Sequence, residues 1–197
     1  MHMVEQKKVD LSRFNPKEFD IGKNWFIYTL WQFCNILFFV NPFFPFSGLR
    51  VMLLRFFGAK VGQGVVISKP FINIKYPWRL TIGNHVWIGE GSWIYNLEQV
   101  TIGDHVNIAQ GAMILTGNHN YKSVVFETIT GPVIIEEGVF IGAKAIVCPN
   151  VTCKSHSVLA AGSVATSNLE PYKIYQGVPA VYKKEREVTE RFVSSSG

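Results

Sequence analysis

The chain has few cysteines, few charges and no long apolar run, and each shortage removes a class of protein. Its three cysteines, Cys34, Cys148 and Cys153, are odd in number and lack metal-ligand spacing. They read as small hydrophobes in a reducing compartment, so a cytoplasmic location is expected. Charged residues make up 17% and hydrophobic ones 48%, a balance that excludes a disordered segment. The most apolar stretch, residues 25–40, contains Gln32 and Asn35 and stops at Asn41-Pro42. It falls short of the roughly 20 residues that span a bilayer. No secretory signal is read either, because the lead is polar, with Lys7, Lys8, Asp10, Glu18 and Asp20. A net charge of +5 suits an anionic partner. The basic residues are scattered, apart from Lys183, Lys184 and Arg186, and no aromatics interleave with them, which argues against nucleic acid.

What is present is a beat of six residues. Aliphatic side chains fall at Val61 and Ile67, at Ile82, Ile88 and Ile94, and at Ile102, Ile108 and Ile114. The beat resumes at Ile135, Ile141 and Val147 and passes through Cys153, Leu159 and Ala165. Helices and strands repeat every 3.6 and 2 residues, so neither alone produces it. One flat side of a three-sided β-solenoid does. Counting each aliphatic residue as i, position i+1 is mostly small. Position i+3 collects residues that tolerate positive φ: Gly64, His85, Gly91, His105, Gly111, Gly117, Gly138, Asn150, His156, Gly162 and Asn168. His85, His105 and His156 are therefore read as corner residues. The spacing leaves the hand of the winding open.

Three zones follow: an aromatic helical cap over residues 1–58, the repeat over 59–168 and a C-terminal tail over 169–197. Residues 25–40 and 49–57 read as one or two amphipathic helices, packed on the solenoid or lying on a membrane surface. The beat breaks twice. Ile94 and Ile102 are eight residues apart, and Ile114 and Ile135 are 21 apart, read as three more than a whole coil. The second break, an inserted loop at 115–132, contains Thr116-Gly117-Asn118-His119-Asn120-Tyr121. Loops leaving a rigid scaffold commonly carry function.

The repeat, the 116–121 motif, the Gly177-Val178-Pro179-Ala180 segment and the aromatic cap together resemble the hexapeptide-repeat acyltransferases. The resemblance is nearest to the sugar O-acetyltransferases of colanic acid, capsule and exopolysaccharide biosynthesis. It implies a left-handed parallel β-helix, a homotrimer, acetyl-CoA as co-substrate and no metal. It also implies His119 as general base, because removing a hydroxyl proton during attack on a thioester suits a histidine near neutral pH. No Ser or Cys is set up as an acyl-enzyme nucleophile, so direct attack in a ternary complex is expected.

Asn96, before the first break, reads either as an acceptor-binding residue or as a turn asparagine. Trp87, Trp93 and Tyr95 read as sugar platforms or as packing residues, and Glu127 as a His119 orienter or a solvated loop residue. For the coenzyme, the resemblance points to Ala143, Ala161 and Thr166, and to Lys183 and Lys184 for its phosphates, the lysines being alternatively a solvated face. Phe140 and Val181 depart from the Trp and Arg often found at the matching places. The implied acceptor is a saccharide, free or lipid-linked, at the inner face of a membrane. An amine acceptor, a non-catalytic trimer and a zinc carbonic anhydrase-like enzyme are the competing readings.

Overall fold

Strands of two or three residues joined by tight corners produce the beat. In this computed structural model, which describes residues 7–15, 19–68 and 70–190, they stack into three parallel sheets. The first sheet runs Lys60–Val61, Leu80–Ile82, Val100–Ile102, Val133–Ile135 and Thr152–Cys153. The second runs Val66–Ile67, Trp87–Ile88, Asn107–Ile108, Phe140–Ile141, Val158–Leu159 and Lys173–Gln176. The third holds Asn73–Ile74, Trp93–Tyr95, Met113–Leu115, Ile146–Val147 and Val164–Ala165. The expected β-helix is thus the fold. Each coil pairs in register with the next, as Ile88 does with Ile108 and Ile141 with Leu159.

The inward residues form three buried ladders, among them Ile67, Ile88, Ile108, Ile141 and Leu159 along the second sheet. Residues two places before most ladder positions, such as Val86, Ala112 and Ser163, are buried too, so the prism is filled to its corners. Burying each aliphatic side chain contributes about 1.5–3 kcal/mol. The corners need positive φ, and His85, His105, Asn150 and His156 have it, between 54° and 64°. Lys144 (φ 57°) takes such a corner, where glycine or asparagine was the expected type. Gly117 and Asn168 do not. Gly117 opens a hairpin strand, and Asn168 Oδ1 accepts from Thr152 N. At Gly142 a Cβ would lie 2.5 Å from the Ala161 backbone N, so the stacked corners leave no room for one.

The expected cap is helical. Helix α1 (Trp25–Cys34) starts at an Asn24 side-chain cap and runs on through a π-helical turn, Asn35–Val40. Helix α2 (Ser47–Phe56) follows. Trp31 is fully buried, and its Nε1 donates to Ile74 O (2.9 Å). Arg50, also fully buried, has no carboxylate partner among the described residues. It donates to Phe38 O (2.7 Å), Ile67 O (3.2 Å) and Phe44 O (2.5 Å), and burial lowers its guanidinium pKa from the ordinary value. An Arg50→Ala variant, leaving these carbonyls without their donor, is expected to lose about 3 kcal/mol or more. Chemical denaturation measures this; an unchanged midpoint contradicts it.

Two expectations change. The 21-residue gap is not a coil plus three residues. Ile114 and Ile135 belong to adjacent sides of neighbouring coils, and the whole excess leaves at one corner as the antiparallel hairpin Gly117–His119 and Thr128–Thr130. The C-terminal segment is not merely a tail either. Lys173–Gln176 continues the second sheet, and Val181–Glu185 folds back on it antiparallel.

Candidate active site

Both breaks read in the sequence fall on one corner, between the third and first sheets, and a further excursion after Ile74 leaves there too. Successive coils place there residues 75–79, residues 96–99 and the hairpin. The hairpin is bound to the scaffold by Gly131 N, which donates to Thr116 O (2.9 Å). Thr116, fully buried, has an Oγ1 that accepts from Glu98 N (2.8 Å).

His119 ends the first hairpin strand and is half-buried. Its Nδ1 lies 3.0 Å from Phe126 O. A carbonyl can only accept, so this contact selects the tautomer protonated at Nδ1 and leaves Nε2 as a lone-pair base. Phe126 has φ of 55°, an unusual conformation for a bulky side chain. Its ring stacks on the imidazole, with centroids 5.0 Å apart, and Phe14 meets that ring edge-on at 5.5 Å. The orienter is thus a main-chain carbonyl. Glu127 instead accepts from Asn120 Nδ2 (2.7 Å), and hydrogen bonding from Ser123 and Asn120 holds its carboxyl below the usual carboxylate range.

The imidazole opens on a pocket of about 410 Å³, walled by Lys75, Tyr76, Tyr95, Phe14, Phe19 and the hairpin. Tyr76 is buried, which pushes its hydroxyl up to about 12. Phe14 and Phe19 come from the polar lead, whose Asp10 N donates to Val124 O (2.9 Å) and thereby fastens it to the hairpin. No periodicity marked that segment as a wall of the site. Lys75 and Tyr76 had a signal, since they precede Pro77 in a stretch that interrupts the beat.

Asn96 is corrected. It is fully buried, its Oδ1 accepts from Tyr76 N (2.9 Å), and its Nδ2 donates to Tyr76 O (2.5 Å) and Arg79 O (3.1 Å). Both its N–H groups are engaged and no part of it is exposed, so it holds the pocket wall in place. Tyr95 lines the pocket, with Trp93 packed edge-on against it at 5.4 Å. Trp87 lies away from it, lining a separate hollow of about 450 Å³ with Phe140.

The expected coenzyme residues are dispersed. Ala143 and Ala161 stack at the corner between the second and third sheets, where Gly162 N donates to Ala143 O (2.9 Å). Thr166 lies at the same corner as His119, two coils farther on, and is exposed. Lys183 and Lys184 are exposed on the final strand of the second sheet. One chain therefore does not gather these positions around His119. His85 and His105 stack on each other at 5.2 Å and His156 on Tyr172 at 4.7 Å. Among the described residues no group of three or more His, Cys, Asp or Glu is placed to hold a metal ion. Cys153 is buried, its thiol pushed up to about 12 by burial, and fits no nucleophilic role.

Comparison with known proteins bears on the chemistry. A family model for the hexapeptide repeat of succinyl-transferase matches residues 132–167. Over 182 residues the chain is 36% identical to the putative colanic acid biosynthesis acetyltransferase WcaF of Escherichia coli, covering 92% of this chain and 99% of that one. The hexapeptide-repeat acetyltransferase VCA0836 of Vibrio cholerae, solved with acetyl coenzyme A, superposes with a TM-score of 0.66 at 27% identity, over 73% of this chain and 79% of that one. A serine-to-alanine variant of the N-acyltransferase AntD from Bacillus cereus, solved with dTDP-4-amino-4,6-dideoxyglucose and coenzyme A, gives 0.60 at 25%, over 71% and 90%.

Proposed function

The chain belongs to the hexapeptide-repeat acetyltransferases, and from that premise we propose that it acetylates a saccharide hydroxyl with His119 as general base. It is an acyltransferase, and acetyl-CoA is its co-substrate. The observation that carries the finer reading is the Phe126 carbonyl on His119 Nδ1, which leaves Nε2 without a described partner beside an aromatic pocket. Aromatic walls suit the apolar faces of a sugar ring.

In the proposed step, Nε2 takes the acceptor hydroxyl proton as its oxygen bonds to the thioester carbonyl carbon. The tetrahedral intermediate collapses with cleavage of the carbon–sulfur bond, and the imidazolium returns the proton to the departing sulfur. The products are the acetyl ester and free coenzyme A. The His119 corner and the Ala143–Ala161 corner are separated by the width of the third sheet, so a second copy bringing its corner against the hairpin would complete the site. A homotrimer supplies this three times over.

Incubating the protein with acetyl-CoA and a panel of saccharides, and following thiol release, tests the reading. Acceptor-dependent release is expected; none on any saccharide would overturn it. The same base serves an amine, the chemistry suggested by AntD, and mild alkali separates the two because it cleaves an ester and spares an amide.

A cytoplasmic protein resting on the inner membrane face completes the proposal. The outer sides of α1 and α2 expose Trp25, Phe26, Phe33 and Phe56, and the turn before α2 exposes Phe43, although no described helix is long and apolar enough to cross a membrane. From Ile21 to Gly89 the sequence has no Asp or Glu, while Lys23, Arg55 and Lys60 are exposed in the same stretch of chain. Apolar area with nearby cations favours anionic lipid. The protein is expected to co-sediment with vesicles rich in phosphatidylglycerol and not with phosphatidylcholine alone. A Phe26→Ser, Phe43→Ser, Phe56→Ser variant that sedimented equally well would contradict it.

A further inference from the structure

We infer that Lys75 is an anion-binding residue of the acceptor site, and that the acceptor is a sugar carrying a phosphate or diphosphate; this rests on the acetylation reading above. Lys75 follows the third-sheet strand of the first coil and is half-buried. Its ammonium lies 5.9, 5.7 and 5.9 Å from the ring centroids of Tyr28, Tyr76 and Tyr95. These ring faces partly compensate its lost hydration. Among the described residues no carboxylate pairs with it, and none lines the pocket it shares with His119. The neighbouring cation is already committed, because Arg79 donates to Leu97 O and Asp20 O. Lys75 is therefore the one described cation lining that pocket, and it has no counter-ion among the described residues.

A neutral sugar would leave this charge unmatched in a partly desolvated wall, whereas a phosphate on the same sugar would pair with it. The distribution of groups fits such a ligand. Lys75 sits on the α1 side through Tyr28, and His119 sits on the hairpin side, so the charged and reacting ends of the acceptor have separate partners. A nucleoside diphosphate and a lipid diphosphate share this chemistry. Lipid has the additional attraction of the apolar outer face on α1.

Calorimetry on the full-length protein loaded with coenzyme A tests the assignment. The probes are glucose, glucose 1-phosphate, UDP-glucose and a geranyl diphosphate-linked glucose, with the same set built on galactose. At least one phosphorylated probe is expected to bind about 10-fold or more tighter than its free sugar, since a charge-assisted contact is worth roughly that factor. Lys75→Met should abolish the advantage and Lys75→Arg retain most of it, with coenzyme A binding unchanged in both. Preference for the nucleotide arm or the prenyl arm identifies the source, and either supports the inference. Phosphorylated probes binding no better than free sugars, or equally to Lys75→Met, would overturn it. Thiol release separates the two readings: turnover of free and phosphorylated sugars alike, still dependent on His119, sinks only this inference. Lys75-dependent binding with no acetyl transfer to any acceptor sinks the acetylation reading.

Discussion

His119→Ala should lower kcat for acetyl transfer about 10²–10⁴-fold, the usual contribution of a positioned general base. The KM for acetyl-CoA should stay near that of the parent, because the imidazole acts on the acceptor proton. Thermal stability should change little, since the residue is half-buried on a hairpin outside the ladders. The arrangement around the ring explains why the loss should be large. Phe126 supplies both the carbonyl that sets the tautomer and the ring that fixes the imidazole plane, and Phe14 closes its edge. An alanine there leaves the pocket formed but without a proton acceptor at its centre. Steady-state kinetics with saturating acetyl-CoA gives the answer. A variant with full kcat, or one changed only in KM, would remove the residue from the chemistry.

Asn96→Ala is expected to be the more damaging substitution for the fold. It removes three hydrogen bonds and leaves Tyr76 N–H and Arg79 O without that partner, while Tyr76 O keeps only its bond from Arg79 N (3.0 Å). The cost is about 2–4 kcal/mol, since losing a partner leaves the desolvation penalty of each group uncompensated. For a chain of this size that corresponds to a fall in melting temperature of roughly 4–15 °C. The segment released is the one that carries Lys75 and Tyr76, so acceptor KM should rise in the folded fraction as well. Asn96→Asp should restore little, because a carboxylate cannot donate to the two carbonyls. Differential scanning calorimetry distinguishes the roles: a melting temperature equal to the parent's, with acceptor binding alone lost, would favour the acceptor-contact reading of Asn96 over the structural one.

The difference between what Asn96 promised and what it does shows where the sequence was readable. Ladder positions such as Ile88, Ile108 and Ile141 were legible because one period constrains them all and burial enforces it in every coil. His85, His105 and His156 were legible as corners because their phase matched that of the glycines. Ile74 was missed, although it is fully buried, because it stands seven residues after Ile67 and eight before Ile82. His119 stood out by lying off the beat, and the resemblance supplied a role for it. Its partners did not stand out. Phe126 acts through a carbonyl, which side-chain identity does not advertise. Phe14 and Phe19 arrive from a lead with no period at all, and only tertiary packing brings them to the hairpin. Glu127 read as either an orienter or a solvated loop residue, and the hairpin gives it to Asn120.

The most direct trial of the account is a crystal structure with acetyl-CoA bound. The thioester should lie between two copies, along the Ala143–Ala161 corner of one, with its carbonyl carbon in the pocket beside His119 of the next. An acceptor hydroxyl hydrogen-bonded to Nε2 should then reach that carbon. A thioester ending at another corner, with the imidazole outside its range, would contradict the assignment of His119 as the base.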